Sequence, residues 1–401
     1  MKEFAKRWDT MQRSCDTLKI VINSMTDPNV LSFGGGAPAK EALPVDIVHE
    51  IANDVLTEGS RGLQALQYGT AKGLLDLREG IVESLLAPKG IPATADDLVI
   101  TGGGMEAVCI ICATFLNPGD VILVESPTFF HCMMTFEMYE AKCIPCATDE
   151  NGLVMEDVEA KIKEYHPKMI YTIPTFQNPT GITMSAERRK RLAELAAEYD
   201  VLVLEDDPYR DIRFIGEDVP AIKSFDTSGN VIMANSLSKI FSPGSRLGYI
   251  VADQRFQQKF CDAKTAMNTH TNVLCQVLAS EFFKRGYYPD HHKKICDLYR
   301  ERREFMLKCI DEHFPEGTKH TYPEGGLYTW VELPEGYNTT ELLAESLNTC
   351  KIVFVAGEGC FAEGNGYGSR YMRLNFASVP MEIIASGIQQ LGEMICAYPK
   401  K

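Results

Sequence analysis

The sequence contains no run of about 18 uncharged apolar residues, the length with which a helix crosses a membrane. Residues 1–16 are also too polar for the apolar core of a signal peptide. The chain also lacks an excess of positive charge, because its net charge is −15 at pH 7. Sequence-independent binding of nucleic acid requires a basic surface. We therefore expect a cytoplasmic protein whose partners are small molecules, with no nucleic acid and no membrane among them.

A disulfide framework is missing too. The 13 cysteines are odd in number and lie mostly within apolar stretches, which is typical of reduced thiols in a core. Two C-x-x-C pairs, Cys109 with Cys112 and Cys143 with Cys146, together offer the ligand count of a zinc site. The first pair lies in a continuous apolar helical run and the second flanks a strand-like segment. We therefore interpret all of them as core residues and expect no metal.

The order of the hydrophobic patterns indicates the fold class. The chain has 401 residues, of which 45% are hydrophobic, enough for two or three domains with a large core. Between about residues 95 and 252, short apolar strand patterns alternate with amphipathic helices. This alternation predicts an α/β fold whose large domain has a mostly parallel central sheet flanked by helices, followed by a smaller α+β domain. The predicted parts are an N-terminal arm (1–44) that packs with the small domain and the substrate site, the large domain (45–289) and the small domain (290–401).

Residues that carry chemistry follow four of the predicted strands. Ligands of an open parallel sheet bind beyond the carboxyl ends of its strands, so these positions matter most. They hold Gly103 at the start of a helix, Asn178, Asp206 and Lys239. A helix start binds phosphate, a carboxylate keeps a ring nitrogen protonated, and an amine forms a Schiff base. Together they are the set that a pyridoxal phosphate enzyme requires.

Several motifs occur in the order of one protein family: SFGGGAP (32–38), QYGTAKGLLDLRE (67–79), TGGGMEA (101–107), ESPTFF (125–130), NPTG (178–181), EDDPY (205–209), NSLSKIFSPGSRLGY (235–249) and MRLNF (372–376). In these motifs the sequence resembles the fold-type I aminotransferases, the superfamily of aspartate aminotransferase. It is most similar to the branch of kynurenine and 2-aminoadipate aminotransferases, and the resemblance covers nearly the whole chain. The resemblance implies pyridoxal 5'-phosphate as the cofactor.

The same resemblance implies the roles of the catalytic residues. It assigns to Lys239 the Schiff base with the cofactor and the transfer of the substrate proton. Asp206 is expected to pair with the ring nitrogen. Tyr209 and Asn178 are expected to contact the ring oxygen, and Phe129 to stack on the ring face.

Substrate and phosphate contacts are implied in the same way. Arg373 is expected to grip the substrate α-carboxylate with support from Asn178, beside the backbone of Gly36. The residues expected to hold the phosphate are Gly103, Gly104, Met105, Ser236, Ser238, Arg246 and, from the neighbouring subunit, Tyr68. This last contact implies a homodimer with shared active sites. Relatives often carry Ser or Thr and Gln where this chain has Gly104 and Met105, so we expect weaker cofactor binding.

The reaction that the resemblance implies is transfer of an amino group from an L-amino acid to a 2-oxo acid, with 2-oxoglutarate expected, by a ping-pong mechanism. The alternatives are a carbon–sulfur lyase or other chemistry at the α-carbon, and a non-catalytic domain that senses the cofactor. The donor class stays open among aromatic, branched-chain and 2-aminoadipate substrates. Lys19 and Arg13 in the arm are candidates for meeting the distal carboxylate of an acidic donor, against the alternative of solvated side chains.

Overall fold

The computed structural model describes residues 3–9, 11, 19–20, 27–57 and 59–399. From residue 27 onward the strands are β1 (Leu31–Ser32), β2 (Leu98–Thr101), β3 (Val121–Ser126), β4 (Lys142–Asp149), β5 (Gly152–Leu153), β6 (Met169–Thr172), β7 (Leu202–Asp206), β8 (Val231–Ser236), β9 (Gly248–Val251), β10 (Lys319–His320), β11 (Tyr328–Glu332), β12 (Ile352–Val353), β13 (Val355–Ala356) and β14 (Tyr371–Asn375). From residue 45 onward the α-helices are α1 (Val45–Leu56), α2 (Gly62–Leu66), α3 (Leu75–Ile81), α4 (Gly104–Phe115), α5 (Phe130–Met138), α6 (Met155–Tyr165), α7 (Ala186–Glu198), α8 (Gln254–Asn268), α9 (Val273–Lys284), α10 (Tyr288–His313), α11 (Thr339–Thr349) and α12 (Met381–Ala397).

An eight-stranded sheet forms the centre of the molecule, with the strand order β2-β9-β8-β7-β6-β3-β4-β5. Strands β4, β3, β6, β7 and β8 run parallel, whereas β9 is antiparallel to both of its neighbours and β5 is antiparallel to β4. Every residue of β6, β7 and β8 is buried, as expected for parallel strands covered by helices on both faces. The predicted α/β class with a mostly parallel central sheet is therefore confirmed.

A smaller antiparallel sheet lies in the C-terminal part of the chain, with the order β10-β11-β14-β13. Strand β1 pairs in parallel with β12, Leu31 opposite Ile352, and so attaches the segment before the large sheet to this part. One apolar core contains both Phe282 from α9 and Leu391 from α12. Because side chains from both parts share this core, the division into domains at residues 289 and 290 stays a prediction.

The structure places all the cysteines of the C-x-x-C pairs on regular elements. Cys109 and Cys112 lie on α4, and Cys143 and Cys146 lie on β4. Burial raises the pKa of Cys143 and of Cys146 to about 12, so both thiols stay protonated at neutral pH. The described residues contain no group of three or more His, Cys, Asp or Glu side chains placed to hold a metal. A helix with the length and hydropathy of a membrane span does not occur among these residues either.

The turn between β2 and α4 is packed closely against the neighbouring strands. Gly103 precedes the helix with a φ of +91°, a conformation that favours glycine. Gly248 in β9 faces this turn. A Cβ at Gly248 would lie 2.6 Å from the carbonyl carbon of Gly103 and 2.7 Å from the carbonyl oxygen of Asn235. Both atoms belong to the backbone, so a glycine at 248 is what lets β9, β8 and the turn approach each other.

Replacing Gly248 with alanine tests this close approach. The added methyl group overlaps two backbone segments, so we expect the free energy of unfolding of the apoprotein to fall by about 2 kcal/mol. Urea denaturation followed by circular dichroism measures the change. Gly244→Ala is the matched control, because its Cβ has ordinary contact with Ser242 Oγ at 3.7 Å. Equal stabilities of the two variants would show that the turn has room for a side chain.

Candidate active site

The lysine after β8 lies where the carboxyl ends of the parallel strands meet. Ser236 ends β8, and a single 3-10 turn leads from it to Lys239. The Nζ of Lys239 donates a hydrogen bond to the carbonyl oxygen of Gly36 at 2.6 Å. Burial lowers the pKa of the Lys239 amine, and the positive charges of Arg373 and Arg246 act in the same direction. A lysine with a lowered pKa has a larger neutral, nucleophilic fraction at pH 7.

Asp206 is the last residue of β7 and is buried at the same edge of the sheet. Its Oδ2 accepts a hydrogen bond from the Tyr171 hydroxyl at 2.8 Å. Burial raises the pKa of Asp206 to about 7, and no cation among the described residues is paired with it to offset the loss of water. Asp207, the next residue, instead accepts a hydrogen bond from Arg210. Asp206 is thus the acid of this pair that is left without a cationic partner.

Three side chains form a connected group beside Lys239. Asn178 Nδ2 donates to the Tyr209 hydroxyl at 3.3 Å, and Tyr209 packs edge-on against Tyr328 with 5.8 Å between the ring centroids. A Cβ at Gly36 would lie 2.6 Å from the Tyr328 hydroxyl oxygen and 3.8 Å from Lys239 Nζ. The hydroxyl, the amine and the glycine backbone share one small space, which leaves no room for a side chain at residue 36.

Arg373 on β14 is buried and held from several sides. Its Nη1 donates to Asn178 Oδ1 at 2.6 Å, and its Nη2 donates to the carbonyl oxygen of Gly34 at 2.5 Å. The guanidinium carbon lies 4.1 Å from the centroid of the Tyr328 ring and 5.7 Å from that of the Phe130 ring. These neutral contacts fix the plane of the guanidinium without cancelling its charge. Arg373 is therefore suited to bind a carboxylate.

The first turn of α4 faces the residues that follow β8. Ser236 Oγ donates to Ser238 Oγ at 2.9 Å, and a Cβ at Gly104 would lie 3.5 Å from the Ser236 Cβ. The Arg246 guanidinium packs on Gly103, where a Cβ would lie 2.5 Å from Nη2. The first N–H groups of an α-helix have no partner within the helix. Backbone donors, two hydroxyls and a guanidinium together form a donor set that suits a phosphate.

Met105 and Phe129 lie at the edge of this group. The Met105 Sδ is 4.0 Å from the Cys132 Sγ, and that sulfur is 3.9 Å from Asp206 Oδ2. Phe129 directly precedes α5 and packs edge-on against Phe130, with 5.3 Å between the ring centroids. Met105 is thus connected to Asp206 through Cys132. Phe129 lies beside Phe130, whose ring faces Arg373.

Tyr68 is not joined to the phosphate turn of its own chain. It is 84% exposed, and its ring contacts His270 with 5.6 Å between the centroids. Lys19 is exposed, and Arg13 lies outside the described residues. The structure therefore leaves the predicted roles of Tyr68 and of the two arm residues as predictions.

Two further residues of the site, Tyr328 and Asn375, were missed by the sequence analysis. Asn375 Nδ2 donates to the carbonyl oxygen of Gly35 at 2.6 Å and so holds the glycine segment that reaches Lys239. Asn375 lies two residues after Arg373 on the same strand, so strand periodicity could have found it. Tyr328 begins β11, and no local pattern distinguishes it from the core residues of that strand.

The residues at this edge of the sheet fit each part of pyridoxal phosphate. The turn of Gly103 and Gly104, with Arg246, suits the phosphate. The buried carboxylate of Asp206 lacks a cationic partner among the described residues and suits a protonated ring nitrogen. The Lys239 amine, with its lowered pKa, suits the aldehyde carbon. The cofactor that the resemblance implies therefore matches the donor set.

Known proteins are similar to this chain over most of its length. The family model for aminotransferase class I and II matches residues 29–391. Aromatic-amino-acid aminotransferase 1 of Thermococcus litoralis is 41% identical over 391 residues, which cover 96% of this chain and 92% of that protein. The 2-aminoadipate transaminase of Thermus thermophilus is 32% identical over 382 residues, which cover 94% of this chain and 93% of that protein.

Solved structures agree with the sequence matches. The crystal structure of a Pyrococcus horikoshii kynurenine aminotransferase has a TM-score of 0.90 and 37% identity, covering 98% of this chain and 96% of that one. That of a multiple substrate aminotransferase from Thermococcus profundus has a TM-score of 0.89 and 36% identity, covering 98% and 97%. The chain therefore belongs to the class I and II aminotransferases, in the branch of the kynurenine and 2-aminoadipate enzymes, and it is an aminotransferase that uses pyridoxal phosphate.

Proposed function

We propose that the enzyme takes the amino group of an aromatic L-amino acid and passes it to a 2-oxo acid, 2-oxoglutarate, in a ping-pong cycle. The observation that carries this proposal is the buried guanidinium of Arg373, fixed in its plane beside Lys239 by neutral contacts. An α-carboxylate is the group that every amino acid and every 2-oxo acid shares. One arginine can therefore orient both substrates of the cycle with the same planar contact.

The cofactor and the residues around it have separate tasks. Bound pyridoxal phosphate supplies a carbonyl group that takes up the amino group and a ring that accepts electrons from the α-carbon. We assign to Lys239 Nζ the attachment of the cofactor and the movement of the proton at the α-carbon, for which a lowered pKa suits it. Asp206 holds the proton on the ring nitrogen, and Tyr209 with Asn178 orients the ring oxygen. Phe129 supports the ring face.

The charges near the lysine favour an uncharged donor side chain. Among the described residues, the cations that shift the Lys239 pKa are Arg373 and Arg246. The first is assigned to the α-carboxylate and the second to the phosphate, so neither is left for a distal carboxylate. The walls beside Arg373 are the rings of Tyr328 and Phe130, which suit an aromatic side chain. The Thermococcus litoralis relative, at 41% identity, is named for aromatic amino acids.

We further propose a homodimer whose active sites are shared, in a reducing compartment such as the cytoplasm. Leu63, Leu66 and Tyr68 are 89%, 73% and 84% exposed and form an apolar surface around α2. An exposed apolar surface of this kind is typical of an interface. Tyr68 can then complete the phosphate site of the other subunit. The described residues include twelve free cysteines, which suits a reducing compartment.

Replacing Lys239 with alanine removes the proposed attachment point and proton carrier. We expect transamination to fall by at least about 10⁴-fold, and the visible absorbance of the lysine-bound cofactor to disappear. Lys190→Ala is the matched control, because the Lys190 side chain is 64% exposed. We expect this variant to keep both the transamination activity and the visible absorbance. Thermal unfolding of the apoproteins shows whether the fold is intact. A folded K239A protein with wild-type absorbance and turnover would contradict the assignment.

The donor class is tested by the first half-reaction. We expect the rate at which L-phenylalanine, L-tyrosine or L-kynurenine converts the loaded enzyme to exceed that of L-2-aminoadipate by about tenfold or more, because the two cations assigned within the described site, Arg373 and Arg246, already bind the α-carboxylate and the phosphate. Stopped-flow absorbance without an acceptor measures each rate. Lys19→Ala and Arg13→Ala should leave the ratio unchanged. A preference for 2-aminoadipate that either variant abolishes would contradict the proposal.

Shared sites are tested by mixing two defective proteins. In a heterodimer of Tyr68→Ala and Lys239→Ala subunits, one site regains both an intact lysine and an intact tyrosine. We expect random co-refolding to give about one quarter of wild-type activity per subunit, above that of either parent. Native mass spectrometry confirms that heterodimers form. Heterodimers no more active than the parent proteins would show that Tyr68 serves no neighbouring site.

A further inference from the structure

A buried ion pair lies directly behind the phosphate turn. Glu106 is in the first turn of α4, and its Oε2 accepts hydrogen bonds from the Gly102 N–H and from Lys264 Nζ, the latter at 2.7 Å. Its Oε1 accepts a hydrogen bond from the Asn268 amide. The Lys264 side chain is 0% exposed, and that of Glu106 is 15% exposed. The pair therefore joins the turn to α8, 158 residues away in the chain.

The position of Glu106 creates an electrostatic conflict. A carboxylate in the first turn stabilises a helix through the helix dipole. The same helix start is where the phosphate is to bind, and two negative charges at one helix start repel each other. The repulsion is strong in a site with little water. Lys264 removes it, because a fully buried ammonium beside Glu106 makes the pair neutral overall.

The ion pair also fixes the backbone of Gly102. The Gly102 N–H donates to the Glu106 carboxylate and therefore cannot donate to a ligand. The carbonyl oxygen of the same residue accepts a hydrogen bond from Arg246 Nη2 at 3.2 Å. With both polar groups of Gly102 fixed, the N–H groups of the residues that follow are left to face an anion. This chain has glycine and methionine at 104 and 105, so backbone orientation replaces side-chain contacts there.

We propose that Glu106 and Lys264 are positioning residues of the phosphate site, an inference that rests on the phosphate site proposed above. Glu106 fixes the backbone of the turn, and Lys264 cancels the charge that Glu106 would otherwise direct at the phosphate. Neither side chain touches the cofactor in this assignment. The ligand class is a phosphate monoester dianion, and the pair acts on its affinity.

Charge-altering variants separate this role from a merely structural one. Lys264→Met leaves the Glu106 charge unopposed, so we expect the dissociation constant of pyridoxal phosphate to rise by about tenfold. Glu106→Gln leaves the ammonium unopposed behind the phosphate, so we expect its dissociation constant to lie at least about threefold below the wild-type value. The double variant is neutral again, and its dissociation constant should return to about the wild-type value. Equilibrium dialysis of the apoproteins against the cofactor measures all of these constants.

Pyridoxal, which lacks the phosphate, is the control ligand. Its dissociation constant should change little in any of the variants. Lys259→Met, an exposed lysine on the same helix, is the control substitution. A structural role would weaken both ligands, or would shift both single variants in the same direction in proportion to the thermal stability of the apoproteins. Either result would overturn the proposal.

Arg246→Met distinguishes failure of this inference from failure of the site beneath it. If Arg246→Met leaves pyridoxal phosphate binding unchanged, the phosphate site itself is wrongly placed. If Arg246→Met weakens binding and Lys264→Met does not, the site stands and the ion pair has no part in it. Should Lys264→Met fail to fold, Glu106→Gln and the double variant give the same test. Adding Lys264→Met to Glu106→Gln must then weaken the binding of pyridoxal phosphate. Equal dissociation constants for Glu106→Gln and the double variant would overturn the proposal.

Discussion

The rest of the site is arranged around the buried carboxylate of Asp206, which has no cationic partner in the described part of the chain. Burial raises its pKa to about 7, while the Tyr171 hydroxyl and the Cys132 thiol offer only neutral hydrogen bonds. An acid whose pKa is raised by folding makes the apoprotein less stable as the pH rises from the unfolded pKa toward 7. In the proposed assignment, a protonated ring nitrogen beside Asp206 supplies the missing positive charge. Cofactor binding at Asp206 would therefore recover stability. The same contact would keep the ring nitrogen protonated, which is what makes the ring withdraw electrons.

The substrate end of the site depends on a different kind of support. Arg373 is fixed by the Asn178 side chain after β6, by the Gly34 carbonyl after β1 and by the Tyr328 ring of the smaller sheet. These supports come from three separate parts of the chain. None of these three neighbours is an anion, so the guanidinium charge is left available for a carboxylate. The pairing of β1 with β12 holds the glycine segment in place, so the fold of the C-terminal part determines the geometry beside Lys239.

Local patterns were sufficient for the features that depend on neighbouring residues in the chain. The parallel strands are continuous apolar runs in the sequence. Asp206 ends one of them and Lys239 follows another, at the sheet edge where ligands bind. The contacts of Tyr328 with Arg373 and of Lys264 with Glu106 could not be predicted, because they join distant segments through tertiary packing. The domain boundary was equally beyond local patterns, since one core includes side chains from both sides of it.

The proposed role of Asp206 is to keep the ring nitrogen of the bound cofactor protonated. The most direct measurement is ¹⁵N NMR of the enzyme loaded with pyridoxal phosphate that carries ¹⁵N in its ring, above neutral pH. We expect the chemical shift of a protonated pyridinium in the wild-type enzyme and that of a neutral pyridine in folded Asp206→Asn. A neutral ring nitrogen in the wild-type enzyme, or the same shift in both proteins, would contradict it.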